Sequence, residues 1–378
     1  MKKRLIPLVA LALLGGAVTS CGSSVSEKDI YAISYNLADP NMSSLWKDGL
    51  EKASVDLGFN KIKLADAKND DAEAVKMVET AGKENYGAYL INVVNQTNGK
   101  SYLNKVKGKN KPVIFWNREI EKEVMDSYEK AYYVGIESAE GGRYQGAMAA
   151  EYINKAGFAT LDRNADGKLG VVVVRGEKGH ADAEARSQFS PAYLERGLTD
   201  GNPAAELKKA GDTYVVDETK GAWNKVELIT LVDGTDQSGA SWEPVTAANE
   251  VGRVLTADTD RKIDLVLSNN DGMALGILTN TTFKASKCPI WGVDALADAL
   301  TEINKADSQL KGTVQNDGKA QAKVCVQVAK NLIEKKTFDD GIVTVATKAE
   351  WEKNGAAVWK DAATKSLRVH HAKIVKTA

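Results

Sequence analysis

Asparagine, aspartate, histidine and arginine recur in this chain at one kind of place, directly after short apolar runs that read as strands. Asp39 and Asn117 follow two such runs, and the Gly179–Arg186 segment, with His180, Asp182 and Arg186, follows a third. Asn269-Asn270-Asp271, Asp294 and Asn316-Asp317 follow three more. Amide, carboxylate, imidazole and guanidinium groups brought together can hold a neutral polyol, because each hydroxyl both donates and accepts. A hydrogen bond with a charged partner contributes roughly 1.5–3 kcal/mol, so a handful suffices for a small hydrophilic molecule. Taken singly, each Asn or Asp is an ordinary turn or helix-cap residue. The set, rather than any member, points to binding.

A second group of oxygens lies in Asp162-Arg163-Asn164-Ala165-Asp166-Gly167-Lys168. Ligands at loop positions one, three and five, glycine at six and the Lys168 backbone carbonyl at seven form a spacing that wraps calcium. An EF-hand would place Glu at position twelve, but Val173 stands there inside a strand, and Gly170 offers no side chain at position nine. The loop is incomplete alone.

Nothing marks a catalyst. The chain has three histidines, no Gly-x-Ser-x-Gly elbow, no Walker loop and no His-Glu-x-x-His. Asp182 and Asp294 could imitate a glycosidase pair, but that chemistry needs a particular separation, which spacing does not fix. The chain therefore reads as not an enzyme. His370-His371 has no third ligand in view and reads as surface or strand residues.

The elements that must position these groups alternate. Strands over residues 30–35, 61–65, 88–94 and 113–116 are interleaved with helices, and the pattern restarts after Tyr132-Tyr133-Val134-Gly135. Such alternation implies two open parallel α/β sheets with helices on both faces. Ligands in such sheets sit beyond the carboxyl ends of the strands, where the polar residues stand. Residues 199–225, with Asn202-Pro203, read as an insertion or long loop. A length of 378 residues suits two domains. The net charge of −1 gives no pull toward nucleic acid or anionic membrane.

At the start, Lys2, Lys3 and Arg4 precede an apolar stretch over residues 5–18 that is too short for a comfortable span. It runs into Val18-Thr19-Ser20-Cys21, which resembles a bacterial lipobox. Residues 1–20 thus read as a signal peptide and 21–28 as a tether lipidated at Cys21, holding the folded part on the periplasmic or cell-surface side without spanning the membrane. Of the other cysteines, Cys325 shares an apolar stripe with Ala322, Val326 and Ala329 and reads as a core thiol. Whether it pairs with Cys288 is open.

Five segments carry a family resemblance. They are 176–186 (Gly-Glu-Lys-Gly-His-Ala-Asp-Ala-Glu-Ala-Arg), Asp126-Ser127-Tyr128 with 130–135, Ser268-Asn269-Asn270-Asp271, Gly292-Val293-Asp294-Ala295, and Gly312-Thr313-Val314 with Asn316-Asp317. In their order along the chain they closely resemble the bacterial periplasmic glucose/galactose-binding proteins. The resemblance implies a type I periplasmic-binding-protein fold, two Rossmann-like lobes joined by a three-segment hinge. Residues 29–135 plus about 318–350 would form the N-terminal lobe, and 136–317 plus about 351–378 the C-terminal lobe.

The resemblance further implies that Asp39 and Asn117 reach a monosaccharide from the first lobe. His180, Asp182, Arg186, Asn270, Asp294 and Asn316 would reach it from the second lobe and hinge margin, with the Trp242 indole on one face of the ring. Asp264 would complete a structural calcium site. D-glucose or D-galactose would pass from a monomer to an ABC-type permease, a chemoreceptor or both. Pentoses and modified hexoses remain alternatives. Sugar-responsive repressors share the fold but carry a helix-turn-helix first, where this chain has its signal and tether. One position departs from the family: Asn41 stands where a second aromatic would sandwich the sugar, with Trp46 and Trp116 as neighbouring substitutes.

Overall fold

The computed structural model describes residues 25–59, 61–199, 206–353 and 358–375, so the signal segment, Cys21 and the Asn202-Pro203 pair lie outside the described residues. Among the described residues no helix is long and apolar enough to cross a membrane.

The first lobe is built on β1 (Asp29–Ser34), β2 (Lys61–Asp66), β3 (Ala88–Ile91), β4 (Val113–Trp116) and β5 (Ala131–Gly135), parallel in the order β5-β4-β3-β1-β2. Strands β1, β3 and β4 are buried along their whole length. Helices cover both faces, so their sequences run continuously apolar instead of alternating. In the second lobe β6 (Leu169–Arg175) is followed by an antiparallel hairpin, β7 (Leu207–Ala210) with β8 (Thr213–Val216). Then come β9 (Val226–Asp233), β10 (Ile263–Ser268), β11 (Ile290–Val293) and β12 (Leu310–Asn316), in the parallel order β12-β11-β10-β6-β9. The stretch read as a loop thus contains a hairpin.

The C-terminal stretch divides differently from the expectation that residues 351–378 join the second lobe. β13 (Thr344–Val345), β14 (Val358–Asp361) and β15 (Ser366–Arg368) extend the first sheet, where β15 pairs in parallel with β5 and buries Leu367. Only β16 (His371–Val375) joins the second sheet, antiparallel to β12. Each sheet leaves an edge open at the hinge, and a short polar strand carries no periodicity that selects between them. The chain consequently crosses between lobes three times, after β5, after β12 and after β15.

At the third crossing His370 and His371 are buried, not on the surface. Their Nδ1 atoms lie 2.7 and 2.9 Å from the two carboxylate oxygens of Glu140, and the His370 ring stacks on Trp351. The helix Gly318–Ile333 returns to the first lobe and packs Ala322, Cys325, Val326 and Ala329 into its core. Cys288 lies in a second-lobe core, and both thiols are free. In the second lobe the helices Ser138–Ala156 and Ala181–Leu198 approach so closely that a Cβ on Gly146 would fall 2.1 Å from the Ser190 carbonyl. That contact fixes the helix whose first turn carries Asp182.

Candidate functional site

All nine residues predicted to meet a ligand line one cleft between the lobes, together with Tyr35, Asn41, Met42 and Arg118. Helix starts position several of them. The His180 ring accepts from the Asp182 backbone N–H at 3.1 Å, and Asn270 Oδ1 accepts from Met273 N–H at 2.9 Å, each capping the helix that follows. Side chains orient the rest. Ser138 Oγ donates to Asp182 Oδ1 at 2.6 Å, and Arg186 Nη1 to the Asn269 carbonyl at 2.9 Å. Asn316 Nδ2 donates to Asp294 Oδ1 at 3.3 Å, while Gln321 Nε2 donates to the Asn316 side-chain Oδ1 at 2.7 Å. Across the cleft Asp39 accepts from the Tyr35 hydroxyl and from the backbone N–H of Asn41 and Met42.

Three of these residues hold a backbone that side chains rarely adopt: Asn117 at φ 60°, Trp242 at φ 64° and Asp294 at φ 119°. Such conformations cost on the order of 1–3 kcal/mol each and persist where the surroundings over-determine them. Trp242 shows how. Its N–H donates to the Gly176 carbonyl at 3.2 Å, and its ring lies so close to Gly176 that a Cβ there would meet it at 2.0 Å. Gly176 is therefore the residue that seats the indole. Trp242 precedes its helix, Pro244–Ala257, and its ring faces the cleft edge-on to His180 at 5.4 Å between centroids.

The charges are unevenly shared. Burial, with Arg118 nearby, lowers the His180 pKa to about 4, so the imidazole is neutral at pH 7. Burial raises Asp294 to about 7, with Asp39 across the cleft adding to the rise and Arg186 opposing it. Burial also works against ionised Asp182, but His180, Arg186 and the Ser138 hydroxyl outweigh it and lower that pKa.

The lobes touch through a pair that the sequence reading did not find. Buried Arg118 reaches from the end of β4 to Glu177 of the second lobe at 2.8 Å, and its guanidinium lies 3.8 Å from the Tyr35 ring centroid. Glu177 also accepts from Trp242 Nε1 at 3.3 Å. Nearby, Gln96 Oε1 accepts from the Ala181 backbone N–H at 3.1 Å. Tyr35 and Arg118 stand just beyond strand ends, so the rule that found Asp39 and Asn117 reaches them once the neighbours are included, whereas Met42 opens the helix that follows Asp39 and Asn41. Trp46 and Trp116 do not take up the missing aromatic role. Both are fully buried, packed on each other at 4.5 Å, and neither lines the cleft.

Away from the cleft, the predicted calcium loop is held by its own hydrogen bonds. Asp162 accepts from the N–H of Asp166 and Gly167, and Asp166 accepts from Lys168 N–H and the Asn164 amide. Asp264, on β10, accepts from the N–H of Arg163 and of Gly170, both at 2.8 Å. Burial raises the Asp264 pKa to about 6, and Asp162 adds to the rise. Carboxylates, an amide and a backbone carbonyl are the donors a hard cation takes, although among the described residues no three His, Cys, Asp or Glu side chains are gathered as a metal cluster.

The family model for the periplasmic binding protein domain matches residues 30–337. The chain belongs to that family. The D-galactose/methyl-galactoside binding periplasmic protein MglB of Haemophilus influenzae is 31% identical to this periplasmic binding protein over 340 residues, 90% of this chain and 91% of that one. Among solved structures, an ABC transporter solute binding protein from Actinobacillus succinogenes with bound D-allose superposes with a TM-score of 0.67 at 16% identity, covering 92% of this chain and 97% of that one. A Caulobacter myo-inositol binding protein gives 0.62 at 18%, covering 93% and 94%. These two likenesses concern the fold: two α/β lobes around a cleft.

Proposed function

We propose that this periplasmic binding protein is an exported carrier that closes its lobes on a monosaccharide, D-galactose or D-glucose, for delivery to an ABC-type sugar permease. One observation carries the reading: polar side chains from both lobes converge with the Trp242 ring on a single interlobe cleft. An indole suits the apolar C–H face of a pyranose, and such packing adds on the order of 1 kcal/mol beyond area. The surrounding carboxylates, amides and guanidinium then meet hydroxyls that both donate and accept. Neutral His180 can join them without importing a charge. The naming of the Haemophilus relative for galactosides supports a hexose, and the allose and inositol held by structural neighbours set the range to test. The match to the periplasmic binding protein domain supports reading a carrier and not a catalyst.

Calorimetric titration of the purified protein with D-galactose and D-glucose, with ribose and xylose as controls, tests this reading. Micromolar or tighter hexose binding without turnover is expected. Absence of binding to any of these sugars would overturn it.

We also propose acylation at Cys21, presentation of the loaded form to a permease and to a chemoreceptor, and a structural calcium ion held by Asp162, Asn164, Asp166, the Lys168 carbonyl and Asp264. The buried Asp264 carboxylate, with its raised pKa, supports the last of these, since a cation there would favour its ionised form. Calcium should raise the melting temperature of the protein and lose that effect in Asp264→Asn. An equal response of both proteins would remove the site.

A further inference from the structure

Asn41 is the least satisfied polar residue of the cleft. Its backbone is pinned, because its N–H donates to Asp39 Oδ1 at 2.7 Å. Its side chain lines the cleft from the first lobe, opposite the lobe that carries Trp242. The residue is 7% exposed, yet neither the amide nitrogen nor the amide oxygen has a hydrogen-bond partner. The amide is near enough to Asp294 to help ionise that carboxyl, but no hydrogen bond closes between them. A buried amide left in this condition weakens any closed complex, because both atoms have given up water for nothing. What fills the cleft must therefore supply a partner.

The shape of a sugar ring says what that partner is. Trp242 takes one face of the ring, so an amide on the opposite lobe meets the other face. In a chair, equatorial hydroxyls point outward in the ring plane, toward the carboxylates and amides at the cleft wall. Only an axial hydroxyl projects from a face. Against an all-equatorial ring, Asn41 would meet C–H groups and stay unsatisfied.

Resting on the monosaccharide reading above, we propose that Asn41 is the specificity-determining residue. In this assignment the ligand is a hexose with an axial hydroxyl, other than at the equilibrating anomeric carbon, on the face turned to that amide. D-glucose, whose remaining hydroxyls are all equatorial, is then the disfavoured hexose. D-galactose, D-allose and D-mannose each turn one hydroxyl axial and are the candidates.

Titration of the purified protein with these four sugars tests the assignment. The best of the three epimers should bind at least about tenfold tighter than D-glucose, a difference of about 1.4 kcal/mol. In Asn41→Phe, which offers a ring where the amide was, that ratio should fall to about one, chiefly through tighter glucose binding. Asn41→Leu serves the same purpose if the larger ring does not fit. D-glucose binding as well as every epimer, or a ratio unmoved by both substitutions, would overturn the proposal while leaving sugar binding in place. Failure of all four sugars to bind would instead overturn the monosaccharide reading, and this assignment with it.

Discussion

The second lobe brings His180, Asp182, Arg186, Trp242, Asn270 and Asp294 to the cleft, with Asn316 at the hinge margin, and nearly every one is already tied to a neighbour. The first lobe brings Tyr35, Asp39, Asn41, Met42, Asn117 and Arg118, and among these leaves both polar side-chain atoms of Asn41 and Arg118 Nε without partners, against Arg186 Nε on the second wall. One wall is organised before a ligand arrives, and the other is completed by it. Preorganised groups lose little freedom on binding, so most of the affinity should reside in the second lobe. The first lobe then adds enclosure and selection, with closure favoured by the ligand that both walls can satisfy.

Breaking the organised wall should have the largest effect. Asp182→Ala or Asn270→Ala is expected to weaken hexose binding by about a hundredfold or more, the scale of losing charged hydrogen bonds in a buried site, while circular dichroism stays close to that of the parent and Asn270→Ala melts about 2 °C lower through the lost helix cap. Asn117→Ala on the first lobe should cost about tenfold. Equal losses from both walls would show that the lobes contribute alike and would end the comparison.

The contact between the walls comes next. Arg118 is 1% exposed and its ion pair with Glu177 spans the lobes, so the pair forms only when they are together. Glu177→Gln keeps an acceptor for Trp242 Nε1 but removes the charge. Because a neutralised partner leaves a buried guanidinium poorly matched, the variant should release sugar about tenfold faster, seen as quicker decay of tryptophan fluorescence in a displacement experiment. Little change in association is expected, since partnering inside a formed complex acts mainly on dissociation. A slower release would mean that the pair hinders closure.

Much of this was legible in the order of residues. Buried parallel strands are short apolar runs, helices lie between them, and polar residues just after strand ends gather wherever such sheets meet. Position in that pattern brought the polar residues of the cleft together, and the family resemblance added Trp242. Asn41 also stood out as an amide where an aromatic was expected. Other features depend on contacts that no spacing encodes. Arg118 and Glu177 lie far apart along the chain and meet only across the closed cleft. His370 and His371 look like a polar end to the chain but are buried because Glu140, from a distant helix, accepts both. The strands β14 and β15 join the first lobe against the expectation, since a short edge strand takes whichever open edge the hinge presents to it. Seating of Trp242 on Gly176 belongs to the same class, being a matter of shape.

The smallest expected effect concerns the one carboxyl that the two walls share. Asp294 stands on the second lobe, and burial raises its pKa to about 7 from an ordinary 3.8, with Asp39 of the first lobe contributing. Between those values the folded, closed form binds more protons than the unfolded chain. Its stability contribution is therefore full below about pH 4 and is lost as pH rises through 7. His180 acts in the opposite sense between about 4 and 6.5, because its folded pKa is lowered and protonation of the buried ring opposes folding. The two partly cancel in the parent protein, so Asp294→Asn is needed to isolate one of them. In sugar-free buffer the variant should melt within a degree or so of the parent at pH 4.5 and about 2–3 °C higher at pH 8, where the parent must bury a charge. The gain stays small because the lobes can open and return Asp294 to water instead of unfolding. Asp39→Asn, made on the opposite lobe, should reproduce a fraction of the same pH-dependent gain. If Asp294→Asn gained equally at both pH values, the benefit would come from packing, and the carboxyl would not be held between the walls as described.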